Sequence, residues 1–265
     1  MTLDYITQSG QSDLLIEKEN CVATVTIRRP PHNFFDSSLI SRIAKIFETL
    51  DQMADCRAIV LAAEGKSFCA GSDFSKRQDL TNAPDSQGEH IYKAAVRLFR
   101  IRKPIIAAVH GAAVGGGLGL ALIADFRVCC PEARFSANFN RIGIHPGFGL
   151  TATLPRVIGA QRASLLFYTG RRITGNEAAN IGLVDVLVPQ AEVLEAARAL
   201  AQEIAQSAPL AVQSTHETMR RGLADAVSIA IERECMEQDW QRSTADFREG
   251  TKAMFERRKP KFLGA

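Results

Sequence analysis

The stretch from residue 103 to residue 125 constrains the fold of this chain most, because three consecutive glycines divide it. Before them, residues 105–109 are apolar or β-favouring, as in a buried strand. After Gly115, Gly116 and Gly117, the apolar run at 118–123 suits the start of a buried helix. Residues without a Cβ let another group approach the backbone, and a helix N-terminus offers unpaired N–H donors with partial positive charge. The stretch therefore predicts a strand–turn–helix unit that can bind an oxyanion.

Length and composition exclude several classes of protein. With 265 residues, 46% of them hydrophobic, the chain can bury the core of one domain, and its net charge of +3 is too small to indicate a nucleic acid partner. No apolar run approaches the roughly 20 residues of a membrane helix, and residues 1–13 lack the features of a signal peptide. The six cysteines form no CxxC pair and no cluster at metal spacing. We therefore expect a cytoplasmic protein without disulfides, metal or a membrane anchor.

The chain alternates between strand-like and helix-like patterns up to Pro189 and is helical beyond it. The predicted elements are a hairpin at 14–27, a helix at 39–53 capped by Asp36 or Ser37, a strand at 57–63, a helix at 91–101, a strand at 126–130, a helix at 160–168, a short helix capped by Thr174 and Glu177, a strand at 183–188, and helices at 191–206, 210–240 and 244–258. Such alternation is typical of α/β units. We expect a core over residues 1–190 and a helical region over 191–265 as one continuous unit, with a mobile polar loop at 75–88.

Six blocks, in this order, resemble the enoyl-CoA hydratase/isomerase (crotonase) superfamily. They read IRRPPHN, KSFCAGSDF, AAVHGAAVGGGLGLALIAD, ARFSANFNRIGIHPGFG, TGRRITGNEAANIGLVDVLVP and FERRKPKF. The resemblance spans about residues 14–262. It implies an α/β fold with a spiral of ββα units and C-terminal helices that build a homotrimer, often paired into a hexamer. It also implies an acyl-CoA thioester as substrate, with coenzyme A as part of the substrate and no separate cofactor.

The resemblance also implies site residues. In that superfamily two backbone N–H groups hold the thioester oxygen while an enolate-like charge develops, and the matching positions here are Ser72 and Gly116. A donor fixed before the reaction stabilises developing charge without reorganising, and loss of one typically costs about 10²–10³ in rate. The implied CoA contacts are Arg29 and Pro30 at the nucleotide, Ala70, Asp73 and Phe74 in the turn near the pantetheine, and Arg257, Arg258 and Lys259 at the phosphates.

Both carboxylates that hydratases of this superfamily use are replaced. Their positions hold Gly119 and Phe139, and neither residue can transfer the protons that hydration requires. Hydration by paired glutamates should therefore be slow or absent. The chain also resembles the aryl-CoA dehalogenase branch, but the position of that branch's attacking aspartate holds Gly147. His145, two residues earlier, remains as the acid/base candidate, because imidazole titrates near neutral pH.

Structural roles compete with several of these functional ones. The glycine run could serve helix packing alone, although Leu120 excludes a Rossmann fingerprint and no Gly-Lys-Ser/Thr completes a P-loop. His145 could simply hydrogen-bond within its own loop. Structural roles also compete for His110 (a structural hydrogen bond), Asp73 (a helix cap), Cys69 (an inert thiol) and the basic residues Arg257, Arg258, Lys259 and Lys261 (a solvated helix end). Asp125, at the end of an apolar segment, is interpreted as structural.

Three functional hypotheses follow from these residues. The leading one is a lyase or isomerase of fatty acid metabolism that handles an acyl-CoA through an enolate held by Ser72 and Gly116. The second is an acyl-CoA hydrolase or a dehalogenase-like member with its acid/base group on a different loop. The third is a CoA-binding member without chemistry. RNA binding, which resembles what a few relatives do, would need a lysine-rich helix that the sequence lacks.

Overall fold

The computed structural model describes residues 13–72 and 91–265, apart from the side chains of residues 91 and 93. The loop predicted at 75–88 lies outside these ranges. The elements, in chain order, are β1 (Leu14–Glu19), β2 (Val22–Ile27), α1 (Ser37–Gln52), β3 (Ala58–Ala63), β4 (Ser67–Cys69), α2 (Ile91–Leu98), β5 (Ile105–Val109), β6 (Ala112–Val114), α3 (Gly116–Ala121), β7 (Phe126–Cys129), β8 (Arg134–Ser136), a 3₁₀ helix (Asn138–Ile142), α4 (Leu150–Ile158), α5 (Ala160–Thr169), β9 (Arg172–Thr174), α6 (Gly175–Asn180), β10 (Val186–Leu187), a 3₁₀ helix (Gln190–Glu192), α7 (Val193–Ala205), α8 (Pro209–Met219), α9 (Leu223–Gln241) and α10 (Ala245–Phe255).

Within the described part of the chain the strands form two sheets. The larger has the order β1-β2-β3-β5-β7-β10 and is antiparallel only between β1 and β2. The smaller has the order β4-β6-β8-β9 and is antiparallel only between β8 and β9. The pairs β3–β4, β5–β6 and β7–β8 each step from the larger sheet to the smaller one, and a helix follows each of the first two pairs. This repeat confirms the predicted spiral of ββα units.

The larger sheet and α1 follow directly from residue patterns. β2 and β5 are fully buried, and burial explains the continuous apolar run of β5, because a parallel strand covered on both faces has no polar side. In α1 the apolar residues at helical spacing are buried. Asp36 caps this helix, with its Oδ1 accepting the Leu39 N–H at 2.8 Å. The capping box of Thr174 and Glu177 is also present, at the start of α6.

Three parts of the secondary structure differ from the prediction. The smaller sheet was missed, because its strands have three residues each and carry no periodic pattern. The single helix predicted at 210–240 is two helices, since Gly222 lies between α8 and α9 at a φ of +75°, a left-handed conformation that interrupts a helix. The helix α4 was not predicted because Pro155 lies inside it.

The C-terminal helices pack on the strand-rich part of the same chain. α7 contacts β2, β3, β5 and β7, α9 contacts α2 and α4, and α10 contacts the 3₁₀ helix at Asn138–Ile142. Among the described residues, every helix is too short or too polar to cross a bilayer. The boundary at residue 190 and the homotrimer remain predictions.

Asp125 joins α8 to the larger sheet. Its Oδ2 accepts the Ile105 N–H at 2.8 Å, and its Oδ1 lies 2.7 Å from Arg220 Nη1 and 2.9 Å from His216 Nε2. Burial by itself pushes the pKa of Asp125 upward, but the His216 hydrogen bond and the Arg220 charge outweigh it and hold that pKa below its usual value. The structural role expected for Asp125 is confirmed.

We expect Asp125→Asn to lower the free energy of unfolding by about 3–5 kcal/mol at pH 7, the usual cost of removing one partner of a buried pair. Because the pKa of Asp125 is lower in the folded chain than in the unfolded one, its contribution is present above about pH 4 and is lost as the pH falls below that value. In urea titrations the deficit of the variant should therefore shrink between about pH 5 and about pH 3. Asp239→Asn, at an exposed position of α9, is the control. It should change neither the free energy of unfolding at pH 7 nor its dependence on pH. A deficit of constant size down to pH 3 would contradict this account.

Candidate active site

The turn that follows β4 and the turn that precedes α3 are in direct contact. A Cβ built on Gly71 would lie 3.0 Å from the Val114 carbonyl oxygen and 3.7 Å from the Gly116 nitrogen. A Cβ on Gly117 would lie 2.0 Å from the Cys69 carbonyl oxygen, far inside the van der Waals distance. The two main chains meet only because these glycines lack a side chain. The close approach predicted for the glycine run is confirmed.

Ser72 and Gly116 each have a backbone N–H that donates no hydrogen bond within the described residues. The carbonyl group preceding Ser72 accepts the Phe35 N–H at 3.0 Å, so the Ser72 N–H, on the opposite side of the planar trans peptide, points away from Phe35. The carbonyl group preceding Gly116 accepts two N–H groups of α3 at 3.0 and 3.2 Å, so the Gly116 N–H points out of the helix N-terminus. The site thus holds two unpaired donors on adjoining turns.

Aromatic rings fill the space beside α3. A Cβ on Gly119 would lie 2.7 Å from the Phe148 side chain, and a Cβ on Gly116 would lie 2.4 Å from Phe35 Cζ. The rings of Phe35 and Phe148 are buried, with centroids 5.5 Å apart, and Tyr92 packs edge-on against Phe148 at 6.3 Å. Phe148 therefore occupies the volume that any side chain at position 119 would need.

Positions 147 and 139 are also enclosed. A Cβ on Gly147 would lie 2.2 Å from the Tyr92 hydroxyl oxygen and 2.6 Å from Gln238 Nε2. That hydroxyl donates to Gln238 Oε1 at 3.1 Å, and burial raises the pKa of Tyr92 to about 12, so the phenol is neutral. Phe139 is buried, and its Cζ would lie 3.7 Å from a Cβ on Gly115. The hydrogen-bonded side chains of Tyr92 and Gln238 therefore fill the space that a side chain at position 147 would need.

His145 is half-buried in the loop between the 3₁₀ helix and α4. Its Nδ1 lies 2.8 Å from the Pro146 carbonyl oxygen. Because a carbonyl oxygen can only accept a hydrogen bond, the proton of the neutral ring is on Nδ1 and the lone pair is on Nε2. The main chain of His145 bonds to α9, because its N–H donates to Gln241 Oε1 at 2.6 Å and its carbonyl accepts from Gln238 Nε2 at 2.8 Å. The loop hydrogen bond is therefore present, and proton transfer by His145 stays a prediction.

Comparison with known proteins decides the family. The sequence matches the family model for enoyl-CoA hydratase/isomerase over residues 17–265. The chain belongs to this family. A Bacillus subtilis protein named "Probable enoyl-CoA hydratase" is 34% identical over 92% of this chain and 95% of its own length. The short-chain-enoyl-CoA hydratase of Clostridium acetobutylicum is 32% identical, covering 94% of this chain and 96% of its own. The crystal structure of an enoyl-CoA hydratase/isomerase from Pseudoalteromonas atlantica has a TM-score of 0.87 and 28% identity, and covers 95% of this chain and 100% of its own.

The residues predicted to contact CoA near the N-terminus of the chain lie close to the Ser72 turn. The Ala70 N–H donates to the His32 carbonyl at 3.0 Å, and Pro30 is exposed. The Arg29 guanidinium is occupied by two carboxylates, at 2.7 Å from Asp13 and 2.8 Å from Asp36. Asp73 and Phe74 lie outside the described residues.

The basic residues at the end of α10 differ in their availability. Arg258 pairs with Glu249, and this hydrogen bond, together with the Lys261 N–H, lowers the pKa of the Glu249 carboxyl to about 2. Arg257 and Lys259 are exposed and have no ion pair with any described residue. In this region Arg257, Lys259 and Lys261 are therefore cations that can bind a phosphate without breaking an ion pair with a described residue.

Two residues near the site have structural roles. Cys69 is fully buried, and desolvation raises the pKa of its thiol to about 12, so it is not a nucleophile at neutral pH. His110 Nε2 lies 2.9 Å from the Gly65 carbonyl oxygen, which is the structural hydrogen bond that the sequence favoured. No group of three or more metal-ligating side chains occurs among the described residues.

The residues that shape this site from the side of α4 and α9 were not predicted from the sequence. Phe148 has a φ of +64°, a left-handed conformation that bulky residues rarely adopt. The available signal was its position between Gly147 and Gly149. Gln238 was missed because the residue whose carbonyl it binds, His145, lies 93 positions earlier in the sequence.

We expect Gly119→Ala to lower the free energy of unfolding by about 1–3 kcal/mol, because its Cβ would overlap Phe148. In a Phe148→Gly background the same substitution should cost less or even stabilise, since both the Cβ and the ring that it would overlap are gone and alanine has a higher helix propensity than glycine. A double-mutant cycle in urea measures this coupling. Equal costs in both backgrounds would show that Phe148 does not limit position 119.

Proposed function

We propose that this protein binds an acyl-CoA thioester and stabilises its enolate through the Ser72 and Gly116 N–H groups. The observation that carries the proposal is the pair of unpaired amides on adjoining turns, one of them at a helix N-terminus. Main-chain contacts hold both turns in place, so the donors need no reorganisation when charge develops on the thioester oxygen. Membership in the enoyl-CoA hydratase/isomerase family supports the thioester as the ligand.

In this proposal the net reaction is not hydration by two glutamates. Such hydration needs one group to activate water and another to deliver a proton to the neighbouring carbon. Gly119 and Phe139 supply neither, and Phe148 closes the space beside Gly119. Proton transfer at the α carbon, with His145 Nε2 as the acid/base group, is the reaction we propose. It is of the isomerase or lyase type.

The CoA moiety is proposed to lie between the N-terminal turn and the end of α10. Arg257 and Lys259 would meet its phosphates, and Arg258 and Arg29 would do so only by sharing their present carboxylate partners. Pro30, Ala70, Asp73 and Phe74 would line the adenine and pantetheine positions. A homotrimer or a dimer of trimers in the cytoplasm is proposed from the family resemblance alone.

A second candidate is a CoA-binding protein without turnover. The observation in its favour is that Phe148, Tyr92 and Gln238 enclose positions 119 and 147 with groups that do not ionise near neutral pH. Thioester binding without α-proton exchange, hydration or hydrolysis on a panel of acyl-CoAs would support this candidate over the enolate proposal.

We expect the protein to exchange the α protons of acyl-CoAs in deuterated water, as measured by mass spectrometry, with hydration of crotonyl-CoA near background. Gly116→Ala should lower the exchange rate about 10²–10³-fold, because its Cβ would collide with Phe35 and move the donor amide. Gly182→Ala is the control for general destabilisation, because alanine strains the backbone there, where φ is +79°, but its Cβ would meet no atom within 4 Å. Exchange that survives Gly116→Ala undiminished would remove this amide from the mechanism.

We expect His145→Ala to lower the same exchange rate about 10²–10⁴-fold, the usual contribution of a positioned general base. The main-chain bonds of His145 to Gln238 and Gln241 do not involve the ring, so the loop should keep its conformation. Calorimetric affinity for a non-reactive CoA thioether controls for binding. Unchanged exchange would exclude His145 as the acid/base group.

A further inference from the structure

One face of α9 holds the loop that carries Phe148. Glu234, Gln238 and Gln241 are spaced four and three residues apart, so their side chains lie on one side of the helix. Gln241 and Gln238 bind the N–H and the carbonyl of His145 at 2.6 and 2.8 Å. Glu234 accepts the Gly149 N–H at 2.7 Å. The loop is therefore tied to α9 on both sides of Phe148.

The buried positions of these side chains require those bonds. Glu234 is 0% exposed and Gln238 is 1% exposed, and a buried polar group is costly unless its hydrogen bonds are made. Glu234 also accepts the Thr151 N–H at 3.0 Å and the Thr151 hydroxyl at 2.6 Å. The Gln238 Oε1 accepts from Tyr92 at 3.1 Å and from Arg242 at 3.0 Å. The polar face of α9 is thus satisfied chiefly by this loop and its neighbours.

Phe148 is the residue that these bonds constrain. Its left-handed backbone is strained for an aromatic residue, and such strain persists only where the surroundings impose it. Its ring would lie 3.6 Å from a Cβ on Gly116 and 2.7 Å from a Cβ on Gly119, so it packs directly on the first turn of α3. Relaxation of the loop would withdraw this ring from the helix that carries the Gly116 N–H.

We propose that Glu234, Gln238 and Gln241 are positioning residues that hold Phe148 against α3 and thereby fix the direction of the Gly116 N–H. The consequence for turnover rests on the proposed function, whereas the structural coupling does not. A misdirected amide loses stabilisation mainly in the transition state, where the oxygen is most negative, so the loss falls on kcat rather than on KM.

The test compares Glu234→Gln with Glu232→Gln in the full-length protein. An amide at position 234 replaces one acceptor oxygen by a donor that faces N–H groups, whereas Glu232 is exposed two residues away on the same helix. We expect Glu234→Gln to lower kcat for α-proton exchange at least about tenfold, with KM changed less than about threefold. Glu232→Gln should leave both within about twofold of wild type. An unchanged kcat in a folded Glu234→Gln protein would overturn the proposal.

A second comparison separates positioning from general destabilisation. If Glu234 acts through Phe148, then Glu234→Gln should lower kcat by less than about threefold in a Phe148→Leu background, where the packed ring is already lost. Multiplicative losses in the double variant would overturn the proposal, because they would mean that Glu234 acts independently of Phe148.

Hydrogen exchange measured by mass spectrometry gives a readout that does not depend on turnover. In Glu234→Gln, exchange should speed up in residues 145–151 and also in residues 118–122 of α3 and its C-terminal cap, but not in Glu232→Gln. Faster exchange confined to 145–151 would overturn the coupling. If hydrogen exchange speeds up in both segments of Glu234→Gln but the wild type catalyses no α-proton exchange, the enolate proposal fails while the positioning role stands. Should Glu234→Gln fail to fold, Gln241→Ala, which removes only the acceptor of the His145 N–H, is judged by the same two readouts.

Discussion

The absence of Cβ atoms at Gly71 and Gly117 is the constraint on which the site depends. Each of these residues faces a carbonyl oxygen of the other turn, and a methyl group on Gly117 would lie 2.0 Å from the Cys69 carbonyl oxygen. Hydrogen bonds cannot produce such an approach if side chains keep the backbones apart. Because the two turns are in direct backbone contact, the Ser72 and Gly116 amides lie near each other without a side chain that bridges them. The rest of the fold holds this contact in place.

The helix α9 buries polar as well as apolar residues, since Glu234 and Gln238 are buried beside Val227 and Ile231. Its inner side carries Glu234 and Gln238, both buried, while Ile229, Met236 and Trp240 are exposed on its outer side. Packing of apolar surface therefore accounts for only part of its attachment to the core. The hydrogen bonds to the loop before α4 supply direction as well as stability, because each works only in a narrow range of distance and angle. A helix held in this way fixes the loop in one geometry.

Residue patterns could predict the long elements and the position of the glycine-rich site, but not what surrounds it. The longer strands of the larger sheet, the cap at Asp36 and the turn before α3 are encoded locally, since each depends on residues within a few positions of one another. The three-residue strands of the smaller sheet form by pairing with strands that are distant in sequence, and they are too short to show a periodic pattern. The packing of Phe148 on Gly119 and the bonds of Glu234 depend on tertiary contacts, which no local pattern encodes. The enclosed state of position 119 could only be found in three dimensions.

The bond between Glu234 and Gly149 has a consequence for how the protein is made. The two residues are 85 positions apart, so the ribosome releases the loop, α3 and both donor turns well before it adds the carboxylate that ties the loop down. Domains generally begin to fold from the N-terminus during synthesis, at about 5–20 residues per second. For several seconds the nascent chain therefore contains Ser72, Gly116 and the turns that carry them while Phe148 is still free to relax. A messenger RNA truncated before the codons of α9 would yield a chain that has the Ser72 and Gly116 N–H groups but lacks the hydrogen bonds from α9 to the loop.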